Sequence, residues 1–77
     1  MNRPELLRDL EQQLGQPQGS LKEAQVLSGL RGWDSMASVL FIALVDEKLG
    51  ANVTGDEISQ ARTVGDLVGL VSDHLSA

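Results

Sequence analysis

The sequence predicts an all-α fold: a small four-helix bundle with three principal helices, one short helix and a long first loop. Three observations predict it. Apolar residues recur at three- and four-residue spacing in Leu6, Leu7, Leu10 and Leu14, and again within 36–49 and 64–75. Capping residues or glycines stand at the ends of those stretches. No stretch alternates apolar and polar residues as a half-buried strand does.

Helix one is expected over 3–14. Pro4 suits its first turn, Glu5 favours its positive end, and Gly15 suits its stop. A long connection follows to about Trp33, carrying Pro17, Gly19, Gly29 and Gly32. Leu21, Val26, Leu27 and Leu30 are its candidate anchors to the core, and a loop of this length needs such anchors in a compact domain.

Helix two is expected from Ser35 to Leu49, with Lys48 in its last turn and Gly50 as its stop. Thr54-Gly55-Asp56-Glu57 has capping-box spacing and starts a short helix through Ile58 to about Ala61. Thr63-Val64-Gly65-Asp66 repeats that spacing and starts helix four, whose stripe is Val64, Leu67, Val68, Val71 and Leu75. Gly65 and Gly69 each cost that helix up to about 1 kcal/mol relative to Ala. Close approach of a neighbouring element is the expected reason for both.

The bulk numbers narrow the function. Seventy-seven residues make one domain near the lower limit for an unaided core. A hydrophobic fraction of 42% is too high for a disordered chain. Only Trp33 and Phe41 are aromatic, so the core must be aliphatic. The absence of cysteine removes disulfides, thiolate metal sites and cysteine nucleophiles, and is consistent with a reducing cytoplasm. A net charge of −5 disfavours nucleic acid and anionic lipid and favours partners with basic patches. The longest apolar run, 36–45, covers about half of a membrane span, so no membrane insertion is expected and the chain reads as soluble and unprocessed.

Helix two carries two apolar faces. Ser38, Phe41, Ile42, Val45 and Leu49 fall on one side, which must pack on helices one and four. Met36, Val39, Leu40 and Ala43 fall largely on the other, with Glu47 at their far end. That second face is either a docking surface or is covered by the long loop. Ser35 opens the helix behind Asp34, where unpaired N–H groups and the dipole favour an acceptor or a phosphate. It can serve as a plain cap or as the attachment point of a phosphorylated group.

These residues carry a resemblance. Asp34-Ser35-Met36 heads an amphipathic helix ending in Asp46-Glu47-Lys48-Leu49-Gly50. Asp56-Glu57-Ile58 then precedes Thr63-Val64-Gly65-Asp66-Leu67-Val68. In this order and length they resemble the acyl carrier protein family, the phosphopantetheine-binding carrier domains, over nearly the whole chain. The resemblance implies an acyl-carrier-like bundle, a single carrier domain over 1–77, that catalyses nothing itself. A phosphopantetheinyl transferase, the holo carrier-protein synthase, would transfer 4′-phosphopantetheine from coenzyme A to Ser35. The thiol of that arm would hold acyl intermediates as thioesters for acyl-loading and acyl-processing enzymes. Asp34 matches the position that helps bind the Mg²⁺ of the loading complex, so the resting protein would hold no metal.

The resemblance further implies a monomer docking through Met36, Val39, Leu40, Ala43, Glu47 and Glu57. Fatty-acid carriers typically bear acids on the exposed side of helix two, whereas Ala37 and Leu40 stand at such positions here. This points to a specialised carrier with a more apolar partner interface, and Trp33-Asp34-Ser35 is similar to stand-alone carriers, within fatty acid or specialised lipid or polyketide biosynthesis. Asp34 leans away from peptide-synthetase carriers; Asp-Ser-Met is similar also to D-alanyl carriers.

Other residues read more plainly. Trp33 is expected as a loop anchor ahead of a partner contact, His74 as a solvated or half-packed residue, and Ser38 as a hydroxyl bonding back to its helix. Exposed Asp46 and Glu47 serve equally well as partner contacts or as a solvated edge. The competing function is a non-enzymatic interaction module docking through helix two without modification. An autonomous enzyme has little to work with, given one histidine and no convergent acids.

Overall fold

Each α-helix of the computed structural model, which describes residues 1–76, starts at a side-chain cap. Helix α1 spans Arg3–Leu14. The Asn2 Oδ1 accepts the Glu5 N–H at 2.9 Å, and Glu5 Oε1 accepts the Asn2 N–H at 3.0 Å. That box is legible as Asn-x-x-Glu, although the sequence reading began the helix from Pro4 and Glu5 alone. Gly15 closes α1 at φ 68°, a left-handed cap that releases the chain into the long loop.

Helix α2 spans Ser35–Leu49 and ends at Gly50, as expected. Helix α3 spans Gly55–Gln60 and helix α4 spans Val64–Gly69, each behind a capping box, Thr54 with Glu57 and Thr63 with Asp66. Helix four was expected to be a principal helix, and here the structure differs. At six residues α4 is as short as α3, and the chain continues through Leu70 and Val71 into a 3-10 turn over Ser72–His74. Ser72 Oγ donates to the Gly69 carbonyl at 3.1 Å, and Val71 N–H turns back to Val68. After a residue of weak helix propensity the ladder tightens to three-residue steps. The apolar stripe survives, with Val64, Leu67, Val68 and Val71 buried and Leu75 half-buried.

The core gathers Leu6 and Leu10 of α1, Phe41, Leu44 and Val45 of α2, Ile58 of α3 and the α4 stripe. Phe41 lies at its centre, fully buried. Helix α2 packs on α1 and α3, and α4 packs on α1. Among the described residues no helix is long and apolar enough to cross a membrane.

The long loop is ordered by specific contacts. Leu21, Leu27 and Leu30 are buried, but Val26 is 55% exposed, contrary to its expected role as an anchor. Its backbone forms an isolated antiparallel bridge with Thr63, flanked by Leu27 N–H to the Arg62 carbonyl (2.8 Å) and Val64 N–H to the Gln25 carbonyl (3.0 Å). In extended backbone successive side chains point oppositely, so Leu27 turns inward and Val26 outward. Nearer the start, Arg3 pairs with Glu23 at 2.6 Å on the half-exposed surface. A Cβ on Gly65 would lie 3.1 Å from the Glu23 carbonyl oxygen, which explains that glycine by close approach. Gly69 has open space around it, so the same explanation does not hold there.

Candidate functional site

The start of α2 divides its tasks between two adjacent residues. Asp34 is the N-cap: its backbone is extended and its Oδ1 accepts the Ala37 N–H at 2.9 Å. Ser35 is therefore the first residue of the helix and not its cap. Its side chain is exposed, and among the described residues nothing hydrogen-bonds its hydroxyl. Ser38 takes the other local role, donating from Oγ to the Asp34 carbonyl at 3.2 Å. Ser35 thus presents an uncommitted hydroxyl at the positive end of a fifteen-residue helix.

Three features of the loop and α1 bring the chain to this point. Gly32 adopts φ 88°, and a Cβ there would sit 2.8 Å from the Leu14 carbonyl oxygen, so the backbone turns tightly against the end of α1. Gln16 Nε2 donates to the Arg31 carbonyl at 2.9 Å. Trp33 is half-buried against the core, as expected of a loop anchor.

The two faces of α2 separate as the periodicity required. Met36, Val39 and Leu40 are 65%, 59% and 41% exposed, and Ala43 and Glu47 are exposed beside them. The loop does not fold over this stripe. The inner face is centred on Ala37, Phe41, Leu44 and Val45, with Ser38, Ile42 and Leu49 half-buried at its margins. Ala37 is only 6% exposed, so it belongs to the core, and its reading as a replaced surface acid is overturned. Ala37 stands four residues before Phe41 and eight before Val45, so the helical repeat puts it on the same buried face. Leu40 alone carries that argument.

Glu57 is exposed, but its carboxylate is engaged in the α3 cap, accepting from both the backbone and the hydroxyl of Thr54 at 3.0 and 3.1 Å. Asp46 and His74 are exposed. Asp66, in the α4 cap, is held below the usual carboxylate value by the Arg62 and Thr63 amides. Among the described residues no three His, Cys, Asp or Glu side chains cluster as a metal site.

Comparison with known families places the chain as a whole. The family model described as a phosphopantetheine attachment site matches residues 4–71, nearly the whole chain. The chain belongs to this family. It is an acyl-carrier-type domain, and its prosthetic group is covalent 4′-phosphopantetheine. The matched span runs from the first turn of α1 past α4, so it takes in the loop and all four helices of the carrier domain. No match was found among curated proteins or among solved structures.

Proposed function

We propose that the whole chain is one carrier domain that holds acyl intermediates on an arm attached at Ser35 and presents them to partner enzymes through the outer face of α2. The observation that carries this reading is the Ser35 hydroxyl, exposed and without a partner among the described residues while Asp34 performs the capping. A covalent arm needs such an oxygen. A hydroxyl committed to the first-turn amides would have to break that bond before reacting.

The chain offers no base beside Ser35 to activate it, and a serine hydroxyl is a poor nucleophile at neutral pH. Activation belongs to a phosphopantetheinyl transferase and its Mg²⁺. Ser35 Oγ forms a bond to the phosphorus of coenzyme A that bears the pantetheine, the pyrophosphate P–O bond breaks, and the serine proton passes to a base of the transferase. The leaving group is adenosine 3′,5′-bisphosphate. Asp34 Oδ1 is held by Ala37, and the residue is exposed, so its carboxylate would be accessible to a metal of the loading complex. When bound, the arm supplies a terminal thiol able to carry an acyl group as a thioester, at high effective concentration for successive enzymes.

Met36, Val39, Leu40 and Ala43 are the proposed partner face, with Glu47 at its end and Glu57 on α3. A monomer meeting transferase and acyl-processing enzymes in the cytoplasm, within fatty acid or specialised lipid or polyketide synthesis, fits this acidic, cysteine-free carrier with its apolar outer face on α2. Such a carrier has no catalytic residues of its own. Intact-mass measurement tests the reading: coenzyme A with a promiscuous transferase should add one phosphopantetheine unit, and Ser35→Ala should add none. A Ser35→Ala chain that still gains the unit, or a parent chain that never does, sinks it.

A further inference from the structure

Among the described residues Glu11 is the one buried charged residue, 4% exposed, and carrier chemistry assigns it no task. A carboxylate is expensive to bury unless hydrogen bonds compensate for lost water. Glu11 meets that condition across the long loop. Its Oε2 accepts the Leu21 N–H at 2.9 Å in a buried bond, and the Gly19 N–H also bears on the carboxylate. Its own carbonyl accepts the Gln16 N–H at 2.9 Å, so one residue ties off α1 and catches the loop beyond it. The charged groups that face it are Arg8 on α1 and Lys22 on the loop, both favouring the ionised form. Arg8 and Lys22 also line the shallow cleft of about 240 Å³ between α1 and the loop, together with Glu11, Gly19 and Leu21.

The contacts beyond Leu21 run in series toward α2. The Glu23 carbonyl accepts Gly65 N–H at 2.8 Å, Leu27 N–H reaches Arg62, and Gln16 holds the Arg31 carbonyl just before Gly32. Glu11 sets the first of these contacts, and the serine stands at the end of the series. We infer that Glu11 is a positioning residue: an ionic latch that seats the long loop on α1 and so presets the approach to Asp34 and Ser35 for the loading enzyme. This rests on attachment at Ser35. Glu11 touches neither the serine nor the arm. Its effect is to order the loop before docking, so that the transferase need not order it on binding.

Glu11→Gln keeps the size and helix propensity of the side chain while removing the charge. It is expected to speed hydrogen exchange of the Leu21 amide about tenfold or more, since a bond to a charged acceptor is weakened. In loading assays by a promiscuous transferase, the KM for the carrier should rise several-fold while kcat stays within about twofold, because ground-state ordering is lost and the reacting groups are intact. Asp73→Asn removes the same charge from the exposed 3-10 turn after α4, outside these contacts, and should leave both readouts near the parent values. Unchanged Leu21 exchange, or an unchanged KM, in Glu11→Gln overturns the latch.

If Glu11→Gln does not fold, NMR titration of the parent chain decides. The Glu11 side-chain carboxyl carbon and the Leu21 amide should titrate together below pH 4.5, and independent titration refutes their coupling. A parent chain that accepts no arm counts against Ser35 attachment and leaves the exchange readout intact.

Discussion

The Asp34 carboxylate accepts the Ala37 amide at 2.9 Å, and this one bond frees the neighbouring Ser35 hydroxyl from helix capping. A serine following an aspartate at a helix start is ambiguous until the cap is located. Here the cap is the aspartate, and the serine is left with nothing to do for the fold.

Removing the two side chains should therefore have opposite signatures. Ser35→Ala is expected to change stability by no more than about 0.5 kcal/mol while abolishing mass gain on loading. Asp34→Ala should cost about 1 kcal/mol through the lost cap and also slow loading. Urea melts and intact-mass time courses on both variants check this, and a strongly destabilised Ser35→Ala would return the capping role to the serine.

Leu40 is 41% exposed on the outer face of α2. Leu40→Asp should melt close to the parent chain but weaken partner association by about tenfold or more if an apolar contact there is desolvated. Titration calorimetry with a transferase gives the readout. Equal affinity for both chains would move the docking surface elsewhere.

Acid should loosen the fold through carboxylates already engaged. Glu11 is lowered from its ordinary 4.5 mainly by the Leu21 amide, and Glu23 from the same value mainly by its hydrogen bond to Arg3. Asp66 is lowered from 3.8 by the Arg62 and Thr63 amides. In each case the unfolded chain binds the proton more readily, so stability increases with pH across this window. The contribution is fully present above 4.5 and is lost as pH falls through the lowered native values. Denaturant melts between pH 7 and 3 should show a plateau and then a decline, with a shallower decline in Glu11→Gln. A stability that held constant down to pH 3 contradicts it.

The two helix-four glycines should respond in opposite directions. Gly65→Ala places a Cβ 3.1 Å from the Glu23 carbonyl oxygen, where the backbone of the loop must yield, so it should destabilise. Gly69→Ala meets open space and should stabilise by up to about 1 kcal/mol through helix propensity. Thermal melts of the pair separate packing from propensity, and a stabilised Gly65→Ala disproves the close approach.

Much of the fold was legible along the chain because its signals are local. Pro4, Gly15, Gly50 and the Thr54 and Thr63 boxes act within a turn or two, and the observed ends of α1 and α2 coincide with those expected. Helix four was overextended because the spacing of Val64, Leu67, Val68, Val71 and Leu75 continues through a change of ladder. Val71 stays buried whether its amide reaches back three residues or four. Ala37 was misplaced because a small residue at the margin of an apolar arc reads alike on either side. Val26 was misplaced because its neighbour, not itself, turns inward at the bridge with Thr63.

The apolar stripe of α2 and the position of Ser35 at its head were determined by sequence alone, since both follow from residue order and a fixed helical repeat; that the long loop leaves the stripe uncovered was decided by packing. The division of labour between Asp34 and Ser35 had to await three dimensions, because either oxygen could satisfy the same amide. Glu11 was invisible for a stronger reason. A carboxylate on α1 looks solvated until a loop from farther along the chain lays its amides over it, and only packing brings those groups together.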